Sequence, residues 1–398
     1  MKTIVFAAGG TAGHVFMAVG IAQHLKMPKI LITDERGAKH AGKAFDKVYT
    51  LPIKSKGLNF NIIKSFRITY EIFKENDSVF FGCGAYTSLI VGLTALLFRK
   101  PMFIYQGDQK IGRANKILQW FCIKCFVSTE YLDSLYYLNI FILLVWLKLL
   151  FTFLYGFGLY ESLQFGIILS IFYLWLLRAK TWENPNLQFL FLKSMRDTKV
   201  VGVISRREII DTPLPEGKFC ILVLGSSLGS PIFGRIMPKI LEKMPADLLD
   251  RLHIVQQKSK QCNLEETYKK IQISSEFYDF VDTIQELPKA HLVIARAGWG
   301  TIADLVTAKR ASILIPWEGA LDNHQVANAI AMGDLDWVFP ENEKPEVLAD
   351  FIQHIMRDFH KFSYKSTLFK RSQYFKGPKP GGGKRVAEYL NQQFFVVK

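Results

Sequence analysis

The chain has 398 residues, well beyond the size of a single hydrophobic core, so two domains are expected. Hydrophobic residues make up 49% and charged residues 21% of the chain, which excludes a disordered or fibrous protein. Fifty Lys and Arg residues against 35 Asp and Glu residues give a net charge of +15, which suits anionic partners such as acidic membranes, phosphorylated substrates or nucleic acid.

The first stretch, residues 1–135, alternates short apolar runs with helical patterns. Strands are predicted at four of these runs: Thr3–Ala8, Ile30–Thr33, Val79–Phe81 and Met102–Tyr105. This alternation is typical of a doubly wound parallel sheet, so the stretch predicts one α/β, Rossmann-like domain. The first run is short and follows a single Lys, which favours a buried strand over a signal peptide. Five cysteines, an odd number in a long chain, indicate a reducing compartment, and we expect a cytoplasmic location.

Residues 136–197 form an apolar helical insertion that interrupts this alternation. Tyr136–Gly156 and Leu159–Leu177 each carry one charge, so each is close to the roughly 20 apolar residues that cross a bilayer as a helix. Basic residues on both sides, Lys124 and Arg178, favour a membrane hairpin whose two ends share the cytoplasmic side. An apolar pair packed on the protein, or an insertion without function, fits the same pattern, because length and hydropathy do not distinguish these alternatives.

The βαβ alternation restarts after the insertion, in a second predicted domain at residues 198–375. Four strands are predicted in it: Phe219–Leu224, Leu252–Gln256, Leu292–Ala295 and Ser312–Ile315. After the turn sequence PKPGGG, residues 376–398 predict a final helix that is free to pack back on the first domain. The chain therefore predicts two Rossmann-like domains.

A glycine loop, GGTAGHVF, follows the first predicted strand at Gly9–Phe16. Glycines let the backbone approach a phosphate or a sugar, and the start of the next helix attracts negative charge. The loop lacks the full dinucleotide pattern, and no acidic residue is clearly placed on the second strand, which disfavours hydride transfer. His14 lies at the end of the loop and can take a proton from an attacking hydroxyl, although a histidine without a catalytic role gives the same pattern.

The second predicted domain has a matching loop, ARAGWGTIADL, at Ala295–Leu305. The helix that begins there can hold a diphosphate, and Asp304, one turn inside it, can accept hydrogen bonds from ribose hydroxyls. The sequence PWEGALDNHQVANA follows at Pro316–Ala329 and places His324 and Gln325 where they can read sugar hydroxyls. Together the two loops indicate a nucleotide-sugar site.

Seven motifs occur along the chain in a fixed order: GGTAGHVF, GAY (Gly84–Tyr86), IGRAN (Ile111–Asn115), LGSSLGS (Leu224–Ser230), FVD (Phe280–Asp282), RAGWGTIAD and DNHQVANA. In this order they resemble the MurG family, glycosyltransferase family 28, whose members add N-acetylglucosamine to lipid-linked muramyl-pentapeptide. The resemblance covers nearly everything outside residues 136–197. It implies a GT-B fold, with an N-terminal domain for the lipid-pyrophosphate acceptor, a C-terminal domain for UDP-N-acetylglucosamine and a cleft between them.

The resemblance also implies roles for single residues. On the donor side, backbone groups near Phe280 and Val281 would contact uracil, and Asp304 would contact the ribose. Ser227, Gly300 and Thr301 would contact the diphosphate. His324 and Gln325 would contact the sugar, and Arg206 would stabilise the leaving group. The acceptor pyrophosphate and its incoming hydroxyl would face four residues: Thr11, Gly13, His14 and Tyr86. No DxD pair or His/Asp cluster is placed for an essential metal ion, so no metal and no other cofactor is expected.

The implied reaction is a single in-line displacement, in which the muramyl C4 hydroxyl attacks the anomeric carbon, the configuration inverts and UDP leaves. His14 is the leading candidate for the base. The family commonly shows HEQN where this chain reads YQGD, so Asp108 is an alternative base.

The altered glycine loop LGSSLGS and the insertion leave three functions to compare: a family-like transferase, a non-catalytic or degenerate UDP-sugar-binding protein, and another GT-B glycolipid transferase or epimerase. For the transferase, the implied partners are UDP-N-acetylglucosamine, undecaprenyl-pyrophosphoryl-muramyl-pentapeptide and an anionic membrane surface, and not nucleic acid. The implied location is the cytoplasmic face of the cell inner membrane, with peripheral or hairpin attachment.

Overall fold

The computed structural model describes residues 2–53, 61–129, 198–206, 209–225, 229–258, 263–332, 337–361 and 378–395. The first sheet has seven strands: β1 (Thr3–Ala7), β2 (Lys29–Asp34), β3 (Lys47–Leu51), β4 (Ser78–Gly82), β5 (Met102–Gln106), β6 (Lys124–Val127) and β7 (Thr198–Val200). They lie side by side in the order β3-β2-β1-β4-β5-β6-β7, and every pair is parallel.

The second sheet has five strands: β8 (Phe219–Leu224), β9 (Leu252–Gln257), β10 (Ser274–Tyr278), β11 (Leu292–Ala295) and β12 (Ser312–Leu314). Their spatial order is β10-β9-β8-β11-β12, again with every pair parallel. In both sheets the first strand in the chain lies inside the sheet and the order reverses beside it, as in doubly wound folds.

Helices connect the parallel strands, since a parallel pair requires a crossover. The first domain contains α1 (Ala12–Ala22), α2 (Glu35–Ala38), α3 (Asn61–Glu75), α4 (Ala85–Leu97) and α5 (Arg113–Leu118). The second contains α6 (Pro231–Leu241), α7 (Ala246–Leu249), α8 (Leu264–Ile271), α9 (Thr283–Glu286), α10 (Trp299–Ala308), α11 (His324–Ile330) and α12 (Pro345–Lys361). The last described helix is α13 (Gly382–Phe394).

The central strands are continuous apolar runs because helices cover both faces of each sheet. In β1, the neighbouring side chains of Ile4, Val5 and Phe6 point to alternating faces, and all three are fully buried. In β8, all six residues are buried in the same way. The prediction of two Rossmann-like domains with parallel sheets is therefore confirmed.

Only one of the predicted domain boundaries, at residue 198, lies within the described residues. Thr198–Val200 pairs with β6 and so completes the first sheet, whereas the sequence prediction began the second domain at residue 198. The predicted insertion at 136–197 and the boundary at 375 lie outside the described residues and stay predictions. Of the helices that the structure describes, none combines the length and the apolar character needed to cross a bilayer.

The last described helix, α13, packs against the first domain. The Asn391 side chain accepts a hydrogen bond from the Lys26 amide at 3.1 Å, and the Tyr389 ring makes an edge contact with the Phe126 ring. The backbones of α13 and α1 approach so closely that a Cβ atom on Gly383 would lie 2.3 Å from the backbone oxygen of Gly20 in α1. The chain thus returns to the helix that begins at the first glycine loop.

Candidate functional site

The first glycine loop is held by the buried carboxylate of Asp34, the last residue of β2. Asp34 accepts hydrogen bonds from the Gly10 amide (3.0 Å), the Gly37 amide (2.8 Å) and the Tyr86 hydroxyl (2.6 Å). Burial opposes ionisation, but these three bonds outweigh it and lower the pKa of the Asp34 carboxyl. Sequence reasoning missed Asp34, although its position at the end of the second strand was the available signal.

His14 lies in the first turn of α1, partly exposed, with its Nδ1 3.0 Å from the Thr11 hydroxyl. Its ring packs against Gly84, where a Cβ atom would lie 3.0 Å from His14 Cδ2 and the φ of +96° suits glycine. Burial lowers the pKa of His14, while the Asp108 carboxylate and the Gly9 carbonyl oppose that shift. The imidazole is therefore neutral near pH 7, as a base requires.

The starts of α1 and α10 meet at the boundary between the two domains. A Cβ atom on Gly300 would lie 3.2 Å from the Cα atom of Gly13, so a side chain at Gly300 would press on the Gly13 backbone. Beside them, a Cβ atom on Gly107 would lie 2.4 Å from the ring of Trp299, the first residue of α10. Helix starts carry unpaired amides and the positive end of the helix dipole, so this junction favours an anionic group.

Asp108, in the loop after β5, is bound by a residue of the opposite domain. Its Oδ1 accepts a hydrogen bond from Asn328 Nδ2 at 2.8 Å. Asn328 is fully buried in α11, donates to the Ala297 carbonyl at 3.1 Å and accepts from the Gln109 amide at 2.9 Å. His324, at the start of the same helix, is close enough to lower the pKa of His14. Asp108 and His324 thus both act on His14.

Asp304 lies in α10 with only 8% of its surface exposed. The Thr283 hydroxyl donates to Asp304 Oδ2 at 2.8 Å, and Arg206 Nη2 lies 3.8 Å from the same oxygen. Arg206 also donates to the Thr283 hydroxyl and lies 3.9 Å from Asp282 Oδ1. Burial raises the pKa of Asp304 to about 6, against the opposing effects of Arg206 and Thr283.

Arg206 connects this carboxylate to the first domain. Its guanidinium carbon lies 4.5 Å from the centre of the Phe16 ring, within the range of a cation–π contact. Phe16 in turn meets the His40 ring, and the His40 ring lies 6.5 Å from the Phe280 ring of the second domain. Phe280 is half exposed, whereas its neighbour Val281 is buried.

Three other predicted site residues have a different setting. The Tyr86 hydroxyl is engaged by Asp34, and burial together with that bond raises the pKa of Tyr86 to about 12. The side-chain oxygen of Gln325 accepts from the Trp317 amide at 3.0 Å, so this end of the side chain shapes the loop after β12. Ser227 lies outside the described residues. Within the described ranges, no three His, Cys, Asp or Glu side chains are grouped so that they could hold a metal ion.

Two protein-family models match the chain: the glycosyltransferase family 28 N-terminal domain over residues 4–127 and the glycosyltransferase family 28 C-terminal domain over residues 220–374. The chain belongs to glycosyltransferase family 28. The resemblance seen in its motifs is therefore confirmed.

Two relatives of this family 28 chain carry the name UDP-N-acetylglucosamine–N-acetylmuramyl-(pentapeptide) pyrophosphoryl-undecaprenol N-acetylglucosamine transferase. The one from Rhodospirillum centenum is 28% identical over 383 residues, which cover 90% of this chain and 87% of the relative. The one from Rickettsia typhi is 30% identical over 381 residues, which cover 88% of this chain and 90% of the relative.

Solved structures share the fold. MurG of Acinetobacter baumannii matches with a TM-score of 0.64 and 18% identity, covering 98% of this chain and 100% of that one. The UDP-GlcNAc 2-epimerase of Neisseria meningitidis, bound to UDP-GlcNAc, matches with a TM-score of 0.55 and 8% identity, covering 99% of both chains. At these identities the match shows the fold alone, and the predicted GT-B arrangement is confirmed.

In this family 28 chain nine of the predicted site residues fall into two groups. Around the junction of α1 and α10 lie residues from both domains: Thr11, Gly13, His14, Asp108, Gly300, Thr301 and His324. The second group is built on Arg206 and Asp304. The first group can take a proton and hold an anion, and the second can bind polar hydroxyls.

Proposed function

We propose that the protein transfers N-acetylglucosamine from UDP-N-acetylglucosamine to the C4 hydroxyl of undecaprenyl-pyrophosphoryl-muramyl-pentapeptide, with inversion at the anomeric carbon. Relatives of that name, matching about nine-tenths of the chain, support this substrate pair. The observation that carries the proposal is the position of His14. It lies in the first turn of α1 of the first domain, next to Gly13, which meets Gly300 of the second.

His14 acts as the base in this proposal. In the tautomer with its proton on Nδ1, the ring donates to the Thr11 hydroxyl and leaves a lone pair on Nε2. Burial keeps the imidazole neutral, and Asp108 stabilises the positive charge that forms when it takes the proton of the C4 hydroxyl. Asp108 itself is bound to Asn328, so it serves His14 better as a fixed charge than as the base.

The leaving UDP is stabilised by the second domain. The amides of Gly300 and Thr301 lie in the first turn of α10, where the helix dipole favours the charge that develops on the diphosphate. Asp304 accepts from the ribose hydroxyls, and Arg206 balances the charge of this buried carboxylate. His324 faces the sugar from the start of α11. Together these groups hold the UDP, and the amides and the helix dipole stabilise the charge on its diphosphate as it leaves.

The lipid-linked acceptor places the reaction at an anionic membrane surface, on the cytoplasmic face of the inner membrane. The first domain exposes six large apolar side chains near the ends of α4 and α5, which we call the apolar patch: Leu96, Leu97, Ile117, Trp120, Phe121 and Ile123. Leu97 is 73% exposed, and the basic residues Arg99 and Lys100 follow it directly. Apolar side chains beside basic ones bind acidic lipid surfaces.

The proposal is tested by incubating the purified full chain with UDP-N-acetylglucosamine labelled in the sugar, with and without the lipid-linked muramyl acceptor in detergent. We expect the label to move into the lipid, with release of UDP, only when the acceptor is present. An epimerase would alter the labelled nucleotide without acceptor, and a non-catalytic protein would bind it and change neither substrate. His14→Ala serves as the control for a contaminating transferase.

A further inference from the structure

The side chain of Asn328 lies at the domain boundary and uses both ends of its amide. Its Nδ2 donates to Asp108 Oδ1 (2.8 Å) in the first domain and to the Ala297 carbonyl (3.1 Å) in the second. Its Oδ1 accepts from the Gln109 amide at 2.9 Å. Asn328 is fully buried, so water does not compete for these bonds. One residue thus fixes two consecutive residues of the loop after β5.

This loop also faces α1. Gly107 packs between Trp299 and Met17, which lies one turn beyond His14. On the other side, the Gln106 side chain donates to the carbonyls of Asp108 (2.7 Å) and Lys110 (3.0 Å). The backbone of the loop is thus fixed from its own domain, whereas the Asp108 carboxylate takes its hydrogen bond from the second domain.

We propose that Asn328 is a positioning residue, which holds the Asp108 carboxylate beside His14 across the domain boundary. An asparagine suits this task because its amide can donate to a carboxylate and a carbonyl while accepting from an amide. A hydrogen bond to a charged group is stronger than one between neutral groups, so the bond to the Asp108 carboxylate is the strongest of the three bonds that Asn328 makes. The role in transfer rests on the proposed function, whereas the position of Asp108 does not.

The charged and polar groups that act on His14 come from four elements. Asp108 from the loop after β5 and Asp34 from the end of β2 favour the protonated ring, as does the Gly9 carbonyl, whereas His324 of α11 opposes it. Asn328 controls one of these groups, Asp108, which has the largest effect after burial. Loss of Asn328 should therefore lower the pH at which His14 titrates.

The first test follows the titration of His14 by NMR of the imidazole protons, assigned with His14→Gln, in the full chain without substrates. We expect Asn328→Ala to move the midpoint to lower pH and Asp108→Asn to move it in the same direction. The double variant should move it no further, because both changes remove one interaction. Asn328→Ser is a second variant, since its shorter side chain keeps a polar hydroxyl but lacks the amide that donates to Asp108 and accepts from Gln109.

The second test measures kcat for transfer, with UDP affinity by calorimetry as the check on folding. We expect Asn328→Ala to lower kcat roughly 10- to 100-fold, the range for one charge-assisted hydrogen bond, with UDP affinity nearly unchanged. The matched control is Asn391→Ala, since Asn391 also bonds through both ends of its amide, to the Lys26 amide and the His24 carbonyl, away from the site. It should leave kcat and the His14 titration unchanged.

Two results would overturn the inference: a His14 midpoint that Asn328→Ala and Asn328→Ser leave unchanged, or a kcat for Asn328→Ala equal to that of Asn391→Ala. Either result leaves the proposed function standing if the parent protein transfers the sugar. A parent protein that transfers nothing would instead refute the proposed function, and the NMR titration would still decide whether Asn328 holds Asp108.

Discussion

The Asp304→Asn substitution should stabilise the free protein while weakening its binding of UDP. Asp304 is only 8% exposed, and its pKa of about 6 lies above the ordinary value of 3.8 that it regains on unfolding. Each unit of difference between the folded and unfolded pKa corresponds to about 1.4 kcal/mol. At pH 7.5 the buried charge therefore lowers the free energy of unfolding by about 3 kcal/mol. An asparagine side chain at position 304 has nearly the same shape as aspartate but carries no charge.

The sign of the pH dependence follows from the same two pKa values. A carboxyl whose pKa is raised by folding favours the folded state when protonated, so its contribution is largest below pH 3.8 and is lost as the pH rises through about 6. The advantage of Asp304→Asn over the parent should therefore fall from about 3 kcal/mol at pH 7.5 to roughly half of that at pH 5. Urea unfolding of both proteins at several pH values measures this difference.

The binding half of the prediction uses calorimetry with UDP and with UDP-N-acetylglucosamine. Both ligands should bind about 1.5 to 3 kcal/mol more weakly to Asp304→Asn, since the ribose contact is common to them. Asp211→Asn is the matched control, because Asp211 pairs with Lys309 at 2.8 Å on the surface, where one ion pair contributes little. A stability difference that does not change with pH, or unchanged UDP binding, would refute the reasoning.

Three further predictions concern other parts of the molecule. His14→Ala should lower kcat by roughly 100-fold or more at unchanged UDP affinity, and an unchanged kcat would move the role of base elsewhere. Gly383→Ala should lower the free energy of unfolding by about 1–3 kcal/mol, because its Cβ would lie 2.3 Å from an α1 backbone oxygen, whereas Gly112→Ala, with open space around it, should not. Leu97→Asp should weaken binding to vesicles of acidic lipids, measured by co-sedimentation, and Val347→Asp, 43% exposed on the second domain, should not. Equal binding by both variants would argue against the apolar patch.

The sequence predicts eight of the twelve described strands, because strands covered on both faces are visible as apolar runs. It did not predict β3, β6, β7 or β10, which include the edges of the first sheet and one edge of the second. β3 reads KVYTL and is mostly exposed, so it has no continuous apolar run. β7 has three residues and is recognisable only through its pairing with β6.

The sequence predicts those parts of the site whose residues stand close together in one motif. The glycine loops and His14 stand in sequence motifs, and the structure places them at the junction of two helix starts. Asn328 lies 220 residues from Asp108, and no local spacing relates the two. The Tyr86 hydroxyl donates to Asp34, a contact that depends on the parallel order of β2, β1 and β4 and that no local spacing shows. Its role toward the acceptor stays a prediction.

The most direct test of the central claim is the glycosidic linkage of the product, determined by NMR after incubation of the full chain with both substrates. The donor sugar is α-linked to UDP, so a single displacement with His14 as base should give a β linkage at the muramyl C4 oxygen. An α linkage would contradict the single displacement. A product joined at another hydroxyl, or no disaccharide lipid at all, would contradict the proposed transfer.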